Sequence, residues 1–157
     1  MDKYKKVVLM TGEYGYRNYT IKDIRGLKGK RQLSQTLPFL PEEAEAAEEA
    51  GIDLINTRFN YSNPELAIKI RKAAPNIFMS FVVPLLSTPT LDDALRQSYK
   101  AMELGADAVI FQGSLDHIEA LSKAGIPVQG HIGLVPRKSS WTGGLRAVGT
   151  TIEEARK

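Results

Sequence analysis

Apolar residues along this chain gather into short runs, and between the runs they recur with helical spacing among Glu, Lys, Arg and Ala. The runs Gln32 to Thr36, Asp53 to Phe59, Ile77 to Val83, Ala108 to Gln112 and Pro127 to Leu134 show little alternation, as strands covered on both faces do. The helical stretches have chemical boundaries. Pro41 and a Glu-rich first turn open the first, and Gly51 closes it. Ser62 or Asn63 before Pro64 opens the second, which Pro75 bounds. Thr90 with Asp93 makes a capping box with Asp in place of Glu, and that helix runs to Gly105. Ser114 caps a fourth, ending at Gly125.

Three helix exits repeat one pattern: Ala50-Gly51-Ile52-Asp53-Leu54, Leu104-Gly105-Ala106-Asp107-Ala108 and Ala124-Gly125-Ile126-Pro127-Val128. Glycine supplies the left-handed turn that drops the chain into the next strand. A strand, turn and helix unit recurring in this way predicts an α/β fold with parallel strands, either a barrel or an open doubly wound sheet. Five strands alone would suit a flavodoxin-like sheet. Against that, the last segment, Thr151 to Lys157, carries a capping box and starts a helix that the chain abandons after about two turns, the pattern of a repeat cut short. Upstream, Lys5 to Met10 and Tyr14 to Ile21 pair as a hairpin around Thr11-Gly12-Glu13, with a short helix from Ile21. Residues 1–31 are thus expected to close the bottom of a barrel, and 32–157 to form five βα units. Tyr14, Tyr16 and Tyr19 are expected to pack on the hairpin.

With 157 residues, 43% of them hydrophobic and 25% charged, the chain has the balance of one globular domain. No apolar stretch approaches the length of a bilayer span, so no membrane is expected and a cytoplasmic location is the default. The absence of cysteine excludes disulfides, thiolate zinc sites and a cysteine nucleophile. Lys22, Arg25, Lys28, Lys30 and Arg31 form a basic loop without interleaved aromatics, read as solvated; nucleic acid is not an expected partner.

Several blocks together resemble ketopantoate hydroxymethyltransferase. Thr20-Ile21-Lys22-Asp23 with Leu27-Lys28-Gly29-Lys30-Arg31 looks like the family's entry into strand one. Ala74-Pro75-Asn76 before Ile77 to Pro84, then Thr88-Pro89, is similar to its third strand. The strongest block is Gly125-Ile126-Pro127-Val128-Gln129-Gly130-His131-Ile132-Gly133-Leu134-Val135-Pro136, followed by Gly143-Gly144 and Gly149. The resemblance implies a TIM-type (β/α)8 barrel of the phosphoenolpyruvate/pyruvate superfamily, about five of whose eight units would be present here, because such barrels usually need about 250 residues. It also implies one-carbon transfer from methylenetetrahydrofolate to a branched 2-keto acid in pantothenate synthesis, with Mg²⁺ chelating the keto acid.

The strand ends contain no Asp or Glu: Thr36-Leu37-Pro38-Phe39, Thr57-Arg58-Phe59-Asn60, Val82-Val83-Pro84, Phe111-Gln112-Gly113 and Gly130-His131-Ile132-Gly133. By the resemblance, the family's metal-associated carboxylates fall on Phe59, Val82 and Gln112, and its substrate-contacting Lys falls on Ile110. A further catalytic carboxylate belongs after the sixth strand. No metal ligand and no cofactor are therefore predicted from the residues.

His131 is the catalytic candidate, placed to hydrogen-bond a substrate carboxylate or carbonyl; the alternative is a histidine held by backbone groups between two glycines. Arg58, Asn60, Gln112, Gly130 and Gly133 are the substrate-binding candidates, the Arg58 guanidinium replacing the charge of the metal. An Arg58 turned sideways to solvent or a helix is the alternative. Arg137, Lys138 and Arg146 add positive charge to the same rim, and Trp141 either covers a ligand or packs the loop. His117 is expected at the surface. Three readings stand: a divergent enzyme acting on a small 2-keto acid or related carboxylate without the Mg²⁺ site, a non-catalytic binding or assembly relative, and a true hydroxymethyltransferase. A homo-oligomer is expected, since an open barrel leaves two edges unpaired.

Overall fold

In the computed structural model, which describes residues 4–156, strands and helices alternate along the chain. After the antiparallel hairpin β1 (Lys5–Val8) and β2 (Tyr14–Arg17) comes α1 (Ile21–Gly26). Then follow β3 (Gln35–Thr36), α2 (Pro41–Glu49), β4 (Leu54–Arg58), α3 (Glu65–Ala73), β5 (Phe78–Val82), α4 (Leu91–Glu103), β6 (Ala108–Phe111), α5 (Leu115–Lys123), β7 (Val128–Gly130) and α6 (Ile152–Ala155). Strands β3 to β7 form one parallel sheet in chain order from edge to edge. A flavodoxin-like sheet would put its first strand inside the order. The sequential order is that of an incomplete TIM-type barrel, with an N-terminal hairpin.

Glycines at positive φ, Gly51 (78°), Gly105 (95°) and Gly125 (82°), end the chain's path through α2, α4 and α5 and turn it into β4, β6 and β7. One face of the sheet then packs against the helices: Ile55 and Phe59, Met79, Phe81 and Val83, and Val109 and Phe111 join Ala44, Ala67, Ile70, Ala101 and Leu121 in the core. The other face is the barrel interior. Paired residues of parallel strands share a face. The row Asn56, Ser80, Ala108 and the next row, Arg58, Val82, Ile110, Gln129, therefore line that interior. Leu54, Asn56, Val82 and Ile110 are half-buried and Arg58 is exposed, so the strands are not covered on both faces as their apolar runs suggest. At the strand beginnings, a hollow of about 440 Å³ separates α1 from the sheet, lined by Ile21, Ile24, Leu54, Phe78 and Val128 among others.

The two aspartates of the helix exits anchor the N-terminal segment to the strand beginnings. Asp107 accepts from Arg17 Nε at 2.6 Å, from Arg71 at 3.2 Å and from the Met79 amide at 2.9 Å. Arg71 also donates to the carbonyls of Ala74 and Ile77. Burial pushes the Arg71 guanidinium down to about 10, against the opposing pull of Asp107, so it stays cationic at neutral pH. Asp53 accepts from Arg31 at 2.7 Å, from Tyr19 at 2.9 Å and from the amide and hydroxyl of Ser34. Burial works to raise the Asp53 carboxyl, but the Ser34, Tyr19 and Arg31 interactions together hold it below the ordinary range.

Two expectations are corrected here. Arg31 is a partner of Asp53 and not simply part of a solvated basic loop. Tyr19 belongs to the same network, while Tyr14 and Tyr16 stand exposed on the hairpin, Tyr14 under the Lys6 ammonium.

Candidate functional site

The carboxyl ends of the parallel strands form the opposite rim, where a barrel of this kind carries its chemistry. Gly130 pairs with Phe111, and the His131 amide continues the ladder by donating to the Phe111 carbonyl at 3.2 Å. This sets His131 beside Gln112, whose amide Nε2 lies 3.1 Å from His131 Nδ1. Beyond His131 the chain leaves the sheet: Gly133 has φ +74°, a left-handed turn that glycine adopts without strain. The strand expected to reach Leu134 therefore stops at Gly130. Gly130 also admits the Ile118 side chain, which would lie 3.3 Å from a Cβ at that position.

Arg58 ends β4 on the interior face, its guanidinium over the Phe39 ring with 4.7 Å to the centroid. Asn60 is engaged locally. Its side-chain oxygen accepts from the amides of Ser62 and Asn63, shaping the turn before α3. That corrects the expected cap, since neither Ser62 nor Asn63 opens α3 and Pro64 precedes it without a side-chain hydrogen bond. The structure thus joins Gln112 to His131, puts Arg58 on the same face two strands away, and keeps Asn60 in its loop.

The loop after β7 runs through a 3-10 segment, Pro136–Thr142, held by the buried Val135, whose carbonyl accepts from the Lys138 amide at 2.8 Å. Of the three cations read together on this rim, Arg146 is turned to the Thr142 and Ala147 carbonyls and to Glu154, and Lys138 reaches the sheet, 3.4 Å from the Gly113 carbonyl. Trp141 is 84% exposed and so does not pack the loop. His117 is half-buried with its ring 6.2 Å from that of Phe111, a correction to its expected surface position.

Of the positions matched to the family's carboxylates, Val82 and Gln112 face the interior, but Phe59 lies in the helix-side core, its ring 5.9 Å from Phe81. A hard divalent cation wants several carboxylate oxygens. Among the described residues no three of His, Cys, Asp and Glu converge to hold a metal ion, and Asp53 and Asp107 are committed at the other end of the strands. The described strand ends at this rim supply no carboxylate.

The family model for ketopantoate hydroxymethyltransferase matches residues 64–157, more than half of the chain. The chain belongs to the ketopantoate hydroxymethyltransferase family. Among the curated relatives of this ketopantoate hydroxymethyltransferase family member, the 3-methyl-2-oxobutanoate hydroxymethyltransferase of Kosmotoga olearia is 33% identical over 157 residues, covering 87% of this chain and 59% of the relative. The enzyme of the same name from Thermus thermophilus is also 33% identical, covering 88% of this chain and 60% of its own length. That of Pyrobaculum neutrophilum is 40% identical over 92 residues, 56% of this chain and 35% of the relative. The chain spans about three-fifths of the length of the first two. Among the described residues no helix is long and apolar enough to cross a membrane.

Proposed function

We propose that this family member binds a small 2-keto acid, or a related carboxylate, at the carboxyl ends of its strands without a metal ion. The observation that carries the reading is the pairing of Gln112 with His131 at 3.1 Å at strand ends that contain no Asp or Glu. In the tautomer whose Nδ1 accepts from the Gln112 amide, Nε2 carries the proton and can donate to a carbonyl or carboxylate oxygen. His131 is on this reading the catalytic donor, and Arg58 with Gln112 and the open backbone at Gly130 and Gly133 frames the ligand; Asn60 holds the neighbouring turn.

The names of the relatives favour hydroxymethyl transfer to 3-methyl-2-oxobutanoate. That activity would need ligands that the described rim does not supply. A binding-only relative is favoured by a different observation: no Asp or Glu stands at a strand end to take a proton from the carbon beside the keto group.

Calorimetric titration of the 157-residue chain with 3-methyl-2-oxobutanoate, with and without EDTA, tests the site. Binding unchanged by EDTA is expected; no binding, or binding abolished by EDTA, would sink it. Deuterium exchange at the keto acid's third carbon then separates the readings, since an enzyme exchanges that proton and a binding protein leaves it. Self-association through the unpaired edges of β3 and β7 belongs to the same proposal and is read by sedimentation.

A further inference from the structure

Of the cations at this rim, Arg58 ends a strand and Lys138 meets the backbone just beyond one. Arg58 stands on β4, two strands from β6, a separation of roughly 10 Å at about 4.8 Å per strand. Its flat face is spent on Phe39. Lys138 comes from the loop side and is held by its own turn: its amide is fixed to the Val135 carbonyl, and Val135 is buried. Its ammonium lies 3.4 Å from the carbonyl of Gly113, the residue that follows Gln112.

A Cβ on Gly113 would fall 2.1 Å from the Phe111 ring, so the backbone is folded tightly over a ring that is itself fully buried. One long contact occupies at most one of the three ammonium protons. Among the described residues no carboxylate lies within ion-pair distance of Lys138.

From this juxtaposition we infer that Lys138, and not Arg58, supplies the cation of the carboxylate site, an inference that rests on the reading proposed above. The Lys138 ammonium meets Gly113 and the His131 ring meets Gln112, adjacent residues just beyond the end of β6. One ammonium matches a monoanionic carboxylate. Because Lys138 arrives on a loop, the charge is delivered by a segment that carries the chain's single tryptophan, Trp141, three residues further on.

The test is calorimetric titration of the full chain and its variants with 3-methyl-2-oxobutanoate in EDTA, Trp141 fluorescence being followed in parallel. Lys138→Met is expected to weaken binding by about tenfold to a hundredfold, the scale of a hydrogen bond to a charged group. Lys138→Arg, which keeps the charge, should restore it to within about threefold of the parent. Arg58→Ala should weaken binding less than Lys138→Met does, and the methyl ester of the keto acid should gain nothing from Lys138. Parent-like binding by Lys138→Met together with loss in Arg58→Ala would overturn the assignment and leave the carboxylate site standing. Absence of binding by the parent chain would remove both. Unchanged melting of Lys138→Met shows that any loss belongs to the site and not to folding.

Discussion

A methyl group on Gly113 has nowhere to go. The Phe111 ring already occupies its place, and the ring is boxed in by the core and by His117. Gly113→Ala is expected to destabilise the chain by roughly 1–3 kcal/mol, as overpacking does, with a lowered midpoint in urea unfolding as the readout. Carboxyl groups at the other end set the response to acid. The Lys5 ammonium, then the Thr20 hydroxyl and amide, hold Asp23 at about 2 against its ordinary 3.8, and Asp53 is also held low. Folded values below unfolded ones mean stability that is complete above about pH 4 and is lost as pH falls through the folded values. The thermal midpoint should therefore drop between about pH 4 and pH 2. Asp23→Asn should flatten that slope; an equal slope in the variant would remove Asp23 from the account.

Among the elements, the hairpin has little core of its own. It is secured by Arg17, which is 5% exposed and shares Asp107 with Arg71. Asp107→Asn leaves two buried guanidinium groups without their counter-charge and is expected to cost roughly 3–5 kcal/mol, measured by chemical denaturation. How far the elements were legible follows from what marks each one. Helix exits were legible because a left-handed turn selects glycine, and Gly51, Gly105 and Gly125 all adopt it. Strand ends were not: apolarity marks burial and not ladder pairing, so the run from Pro127 to Leu134 overstates a strand that ends at Gly130. The Gln112 and His131 pair was legible from parallel strands with matched ends. Lys138 was visible only as one of three rim cations, because a loop residue has no periodicity to fix its direction. Asn60, named for the site, shows the converse, since a residue at a strand end can be claimed by the turn that follows.

At the scale of the molecule, the aspartate ion pairs and the proposed site occupy opposite ends of one sheet. The ion pairs of Asp53 and Asp107 close the strand beginnings, and the rim beyond the strand ends carries exposed cations and amides. Arg58→Ala, His131→Ala and Lys138→Met are therefore expected to change the unfolding free energy by less than about 0.5 kcal/mol, as surface substitutions usually do. A larger loss from any of them would show that the rim also holds the fold together. The sequential strand order was within reach of the sequence once the exits were seen to repeat, and the resemblance chose between barrel and open sheet. The half-exposed interior face was not, because an apolar run does not say which of its two sides is covered.

Arg17 and Asp107 are 90 positions apart, and this separation sets a timetable for synthesis. At about 5–20 residues per second, Asp107 is made roughly 5–18 s after Arg17. Through that interval the guanidinium can reach the carbonyls of Tyr16 and, once made, Pro75, but it lacks its counter-charge. A segment made early thus completes its ion pair late.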